Sequence, residues 1–226
     1  MRVDIVVPTL NAAATLAPAL TSARQAFDRW TCRIVVCDGG STDNTAEIAR
    51  GLGADVLATP RGRGTQLAAG ARGDGDWLLF LHADTVLADG WTTAVARFVE
   101  TPGNDARAGY FRLRFDSASP RARRVEALAA WRSRRFGLSY GDQGLLIART
   151  HYERLGGYRP LPLMEDVDLV RRIGRRSLVA IPVDAITSPV RYERDGWTLR
   201  PLRNLACLAL YFLGVPTPAL ARLYGR

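Results

Sequence analysis

Residues 78–85 read LLFLHADT. Four consecutive apolar residues fit a strand buried on both faces. The run then stops at a histidine and a carboxylate, His82 and Asp84, two residues apart. Two earlier segments have the same form. VDIVVP, residues 3–8, runs into Pro8, Thr9 and Asn11, and CRIVVCD, residues 32–38, ends in Asp38 followed by Gly39 and Gly40. Between the strands, helical spacing recurs at Leu16, Ala19, Leu20, Ala23 and Phe27, then in STDNTAEIARGLGA, GTQLAAGAR and residues 91–99. DVLATP adds a further short strand. Apolar strands alternating with helical crossovers predict an α/β fold, a mixed and mostly parallel sheet flanked by helices. In such sheets ligands sit beyond the carboxyl ends of the strands. The polar groups at the three tips therefore belong to one candidate site.

The rhythm changes near residue 106. YFRLRF alternates strictly, with Phe111, Leu113 and Phe115 on one face and Arg112 and Arg114 on the other, the pattern of a half-exposed strand expected to pair antiparallel. An arginine-rich helix, RARRVEALAAWRSRR, follows. Next come a strand GLLIA, a helix MEDVDLVRRI, a strand SLVAIP and a C-terminal helix from about Thr198. With no repeat or low-complexity linker, the 226 residues read as one domain. Its parts are residues 1–105, 106–190 and a helical tail, 191–226.

The formal charge is +9 and the isoelectric point about 10.3. This fits an anionic partner or simply an arginine-rich protein. The arginines of the 121–135 helix fall on no single face and lack the interleaved aromatics of single-strand binders, so nucleic acid is not expected. Cys32, Cys37 and Cys207 are odd in number and lack metal-ligand spacing, as expected of reduced thiols in a cytoplasmic protein. The first residues do not read as a signal peptide, and no apolar run reaches the ~20 residues a membrane span requires.

Several residue types carry chemistry. Asp38 could accept hydrogen bonds from a ribose or a base, with Gly39 allowing close backbone approach; equally, the segment could be a strand-to-helix turn capped by Ser41 or Asp43. Neither GxGxxG nor a GxxxxGK[ST] phosphate loop is present. Arg61 and Arg63, between glycines ahead of a helix, suit phosphate oxygens or form a solvated loop. Asp84 offers a hard oxygen to a divalent cation, and His82 either joins it as a ligand or orients it. Glu165 and Asp166 open a helix, where a carboxylate is favoured by the helix dipole and could serve as a general base. Asp142 and Gln143 form a second polar cluster, in YGDQG.

Taken in order, VVPTLN, VCDGGSTDNTAEIA, GRGTQLAAG, LLFLHADT, YGDQGLLIA and LGGYRPLPLMEDVDLVRR resemble glycosyltransferase family 2 and its GT-A fold. The set and the ending LRNLACLALYFLGVPTPALARLYGR are most similar to the bacterial radical-SAM/selenodomain-associated, or arsenosugar-biosynthesis-type, subgroup. The resemblance implies a hexosyltransferase-type enzyme using a nucleotide-diphosphate sugar, UDP by family habit, with Mg²⁺ or Mn²⁺. It implies that Thr9, Asn11 and Asp38 bind the nucleoside of the donor and Asp84 its diphosphate end; Pro8, Gly39, Arg61 and Arg63 join the expected donor site on the reading of the residues above. Asp84, with His82, would hold the metal; His82 stands where the family's DXD motif has its first aspartate. Asp166 falls on the catalytic base, and Asp142, Gln143 and Glu165 on the acceptor side. Direct displacement with inversion is the family expectation. A nucleotidyltransferase or a non-catalytic sugar-nucleotide binder are the alternatives; the former normally carries a glycine-rich N-terminal loop ending in Arg or Lys, which VPTLNAAATL lacks.

The acceptor, small molecule or lipid, is unnamed by sequence, and its shape is expected to come from residues 106–140. In the tail, Leu202, Leu205, Leu208, Ala209, Phe212 and Leu213 form an apolar stripe. Packing on the domain or on a second subunit of a homodimer is favoured over peripheral contact with the inner membrane face, because a helix apolar all round is usually buried.

Overall fold

The computed structural model describes residues 1–224; Gly225 and Arg226, the end of the expected 191–226 tail, lie outside the described residues. The first half alternates as its sequence predicts: β1 (Arg2–Thr9), α1 (Ala13–Arg24), β2 (Thr31–Asp38), α2 (Thr45–Gly51), β3 (Asp55–Ala58), α3 (Arg63–Gly70) and β4 (Trp77–Phe80). A three-residue strand, β5 (Thr85–Leu87), precedes α4 (Trp91–Glu100). The second half comprises β6 (Ala108–Phe115), α5 (Pro120–Phe136), β7 (Leu145–Ala148), α6 (Arg149–Arg154), α7 (Glu165–Ile173) and β8 (Leu178–Thr187). The tail is α8 (Val190–Asp195), α9 (Leu199–Phe212) and α10 (Thr217–Tyr224).

The strands form one mixed sheet in the order β3-β2-β1-β4-β7-β6-β8-β5. β1 lies parallel to both β2 and β4, so the three tips emerge at one edge. β7 runs antiparallel to β4 and β6. The alternating β6 is antiparallel to β7 over only a short register, and its longer pairing, with β8, is parallel. Its expected antiparallel character therefore holds on one side alone.

Strand alternation feeds two cores. Ile5, Val7, Ile34, Val36 and Leu79 face α1 and α4, whereas Val6, Val35, Leu78, Phe80 and Ile147 face the α3, α6 and α7 side. Gly70 lets α3 approach closely: a Cβ there would lie 2.4 Å from Val6 and 2.5 Å from Cys37. All three cysteines are free, and burial pushes the Cys32 thiol up to about 11 and the Cys37 thiol up to about 12. No described helix is long and apolar enough to cross a membrane.

The expected single C-terminal helix is two, broken at Gly214, whose φ is +86°, and at Pro216, which cannot continue a helix. Its packing face is also not the expected one. Cys207 and Leu208 are buried against Leu163, Val167, Val170 and Leu220, while Leu202, Leu205, Phe212 and Leu213 point outward. A helix apolar on every side has no unique stripe from which to read its buried face.

One buried ion pair joins the ends of the chain's first and seventh strands. Arg149 meets Asp4 at 2.6 Å and donates to the carbonyls of Gly75 and Ala71, both at 2.6 Å. Removing one member leaves the other charge buried. Arg149→Met is expected to lower the unfolding free energy by about 3–5 kcal/mol in denaturant titrations, and adding Asp4→Asn to recover much of it. A loss within error for the single variant would contradict this role.

Candidate active site

The polar residues at the parallel strand tips fall into two groups. The first ties β1 to β2. Thr9 Oγ1 donates to Asp38 at 3.0 Å, and the Gly40 and Ser41 amides donate to the other carboxylate oxygen at 3.2 and 2.9 Å. Burial alone would raise the Asp38 carboxyl, but the hydrogen bonds from Ser41, Thr9 and Gly40 outweigh it and hold it below its ordinary value. Asn11, at a left-handed φ of +50°, accepts from the Thr42 amide at 2.8 Å. The Gly39 amide donates to the Thr9 carbonyl at 2.9 Å, with the half-buried Pro8 alongside in the strand. Gln66, which sequence reading passed over, donates from Nε2 to the carbonyls of Thr9 and Cys37, both at 2.7 Å. Asp43 accepts from the Thr45 and Ala13 amides, each at 3.1 Å, and so serves the turn and the start of α1.

The second group lines an open cleft of about 840 Å³, counting the solvent at its mouth. Arg63, His82, Asp84, Asp142, Glu165 and Asp166 all contribute to its walls. Arg61 is exposed and is not among the lining residues, so of the two arginines only Arg63 reaches the cleft. The Asp84 carbonyl accepts from the Ser188 amide at 3.1 Å, which pins this loop to the end of β8.

Asp166 is held from two sides. Its Oδ2 accepts from the Gly141 amide at 2.9 Å and its Oδ1 from the Val167 amide at 2.8 Å. Gly141 also lies against the His82 ring, where a Cβ would come within 2.5 Å of Nε2. One glycine thus allows the strand tip and the helix start to meet. Met164, immediately before α7, has a φ of +66°, a conformation that a non-glycine residue adopts at a cost of about 1–3 kcal/mol when its surroundings enforce it. Its side chain is buried with Leu163 and Val167.

Two expected acceptor contacts are otherwise engaged. Gln143 is buried outside the cleft: its Oε1 accepts from Ser133 Oγ at 2.9 Å and its Nε2 donates to the Phe111 carbonyl at 3.2 Å. Glu165 lies in the wall, but its carboxylate is 1% exposed and pairs with Arg63 at 3.3 Å. The pair positions Arg63, whose guanidinium is held charged by Glu165, Asp166 and Asp84 against the effect of burial.

The far wall departs from expectation. Of residues 106–140 only Phe115 and Tyr140 line the cleft, and the rest of that wall comes from Ser188, Arg191, Tyr192, Arg200, Asn204 and Tyr224. Arg132 stacks 3.4 Å from the centre of the Tyr140 ring. Arg200 is fixed by Asp195 at 2.5 Å, and Arg203 meets the same carboxylate at 3.0 Å. The arginine and aromatic cluster RYERDGW was the available signal for this wall.

Asp142 shows strain of another kind. Its Oδ1 is buried without a hydrogen-bond partner. Burial, joined by the nearby charges of Asp166 and Asp84 and opposed by Arg132 and Arg63, pushes its carboxyl up to about 6. Carboxylates crowded around one cleft favour a bound cation. Among the described residues no three His, Cys, Asp or Glu side chains form a metal cage. Asp84 and His82 could therefore supply one or two ligands to an ion that a bound diphosphate completes, as is common for Mg²⁺.

Comparison with known proteins identifies the class to which this fold and cleft belong. Residues 4–159 match the family described as Glycosyl transferase family 2, and the chain belongs to that family. Curated relatives are the PGL/p-HBAD biosynthesis glycosyltransferases of Mycobacterium bovis (BCG) and M. tuberculosis (H37Rv). Each is 42% identical over 113 residues, covering 42% of this chain and 41% of the relative. The chain thus spans about two fifths of the length of the curated relatives it matches. Among solved structures, M. tuberculosis glucosyl-3-phosphoglycerate synthase with Mn²⁺, UDP and glucosyl-3-phosphoglycerate matches with a TM-score of 0.56 at 22% identity, over 81% of this chain and 70% of that one. The mannosyltransferase PcManGT of Pyrobaculum calidifontis, with GDP-Man and Mn²⁺, matches at 0.57 and 20%, over 82% and 56%. These likenesses show the GT-A fold.

Asp142 yields a pH-dependent prediction. Its folded value lies above the unfolded one, so its contribution to stability is greatest below about pH 4 and is lost as the pH rises through about 6. Asp142→Asn should raise the melting temperature near neutral pH, by a gain on the order of 1–2 kcal/mol after discounting for partial exposure, and the gain should vanish near pH 4. A variant destabilised at neutral pH would contradict the assignment.

Proposed function

We propose that this chain transfers a hexosyl group from a nucleotide-diphosphate sugar, a UDP-sugar in preference to GDP or dTDP sugars, to an acceptor hydroxyl, with Asp166 as the general base. The supporting observation is that Asp166, fixed by the Gly141 and Val167 amides, and Asp84, at the tip of β4, line the same cleft. UDP with Mn²⁺ and GDP-Man with Mn²⁺ accompany the structural neighbours, which supports the donor class.

In this reading Pro8, Thr9, Asn11, Asp38 and Gly39 offer the nucleoside a rigid edge. Arg63, kept charged and aimed by Glu165, lies toward the diphosphate. Asp84, with His82 beside it, would hold Mg²⁺ or Mn²⁺, which supplies Lewis-acid neutralisation of the leaving diphosphate. Asp166 takes the acceptor proton as the hydroxyl attacks the anomeric carbon from the side opposite the leaving group, giving inversion. Asp142 extends the acidic wall on the acceptor side. Tyr140, Tyr192 and Tyr224 give that side apolar faces with polar tips, suited to a small molecule or a lipid headgroup bearing a ring. The arsenosugar-biosynthesis-type subgroup is part of this proposal and rests on the motif order. A cytoplasmic location is proposed on the three free thiols.

The test begins with a panel of nucleotide sugars and Mn²⁺, scored for nucleoside diphosphate release. On the best donor, Asp166→Asn should lower kcat by about 10²–10⁴-fold while leaving UDP affinity unchanged, because only the proton acceptor is lost. Parental turnover by this variant would remove Asp166 from the mechanism.

A further inference from the structure

The outer face of α9 is bare. Leu202 is 56% exposed, Leu205 60%, Phe212 50% and Leu213 81%, and Leu223 of α10 adds 66%. The opposite face of the same helix packs through Cys207 and Leu208 into the domain. A helix apolar on both sides is normally covered on both. Contiguous exposed apolar surface rimmed by polar groups marks a contact site.

Arg200 and Arg203 are paired with Asp195, but Arg222 of α10 is exposed and neither α9 nor α10 carries an aspartate or glutamate. Arg171 of α7 reaches over the rim, its guanidinium 4.8 Å from the centre of the Phe212 ring. Four residues beyond Arg171, the exposed Arg175 donates to the Arg134 carbonyl at 3.2 Å, at the end of α5. There Trp131 and Phe136 are exposed and meet edge to face, 5.2 Å apart. Exposed Trp and Arg suit the boundary between headgroups and acyl chains.

We propose that the outer face of α9, with its arginine rim, docks on the surface of an anionic lipid bilayer. A second copy of this chain fits less well. A two-fold contact sets the same patch against itself, bringing arginine rim against arginine rim with no carboxylate on α9 or α10 to answer it. Spanning is excluded by length, since a 14-residue helix measures about 21 Å against a hydrocarbon core of about 30 Å. The helix therefore lies in the interface. The same helix pair lines the cleft through Arg200, Asn204 and Tyr224, so the docked element is also a cleft wall.

Vesicle flotation tests this with no sugar donor present, so its outcome is independent of the transfer reaction. The parent should float with vesicles of phosphatidylcholine and phosphatidylglycerol, stay down with phosphatidylcholine alone, and be released by high salt. The combined variant Leu202→Ser, Leu205→Ser and Leu213→Ser alters exposed positions and should keep the parental circular dichroism and melt. It should bind roughly tenfold or more weakly. Arg171→Ala with Arg222→Ala, which leaves the leucines in place, should weaken binding to the anionic vesicles alone. The proposal is overturned if the parent ignores anionic vesicles or if the leucine variant binds as the parent does. It is equally overturned if sedimentation shows a dimer that the leucine variant converts to monomer.

Discussion

Everything at this site depends on β1 lying parallel to both β2 and β4. Parallel pairing brings three strand tips to one edge, and three short connections then carry their polar residues to neighbouring positions. Buried apolar strands fix those tips on both faces of the sheet, so the groups beyond them inherit the rigidity of the core. The Asp4–Arg149 pair adds a polar tie where β1 meets the second half of the chain. The second half then supplies what the first lacks. Its strand β7 extends the sheet next to β4, and the loop before it delivers Gly141 against His82 and Asp166.

The electrostatics of the cleft follow from that convergence. Asp84, Asp142 and Asp166 line a common space, with Arg63, Arg191 and Arg200 lining it as well and Arg132 nearby. Glu165 lines the same cleft and pairs with Arg63. The left-handed Met164 is the backbone feature that turns the chain into α7 at this point, and the buried side chains around it sustain that conformation. A site arranged in this way favours a cationic centre and an anionic leaving group, the combination that diphosphate chemistry requires.

Much of this was legible in the sequence, and the limits are physical. Strands β1, β2 and β4 announce themselves because runs buried on both faces must be apolar, and their polar tips stand out against that background. The placement of Asp84 and Asp166 in the cleft wall was legible for the same reason, as charges at the ends of apolar patterns. Gln143 was not, because its role is set by Ser133 and the carbonyl of Phe111, contacts that no local pattern reports. Glu165 was legible as a helix-start carboxylate, but its pairing with Arg63 of α3 is tertiary. The tail misled in a different way: apolar residues all around α9 define no single stripe, and the face that packs was settled by the shape of the domain beneath it. The cleft wall after residue 190 escaped notice because irregular chain and short helices carry little periodicity.

Under the proposed function, Asp84 and a bound diphosphate complete one metal site beside Asp166. Electron paramagnetic resonance of Mn²⁺ in solution tests this most directly, because the free hexa-aquo signal disappears when the ion is bound. The signal should fall sharply when protein and UDP are present together, much less with protein alone or UDP alone, and the combined effect should be absent in Asp84→Asn. An Asp84→Asn protein that depletes the signal with UDP as fully as the parent would contradict the account.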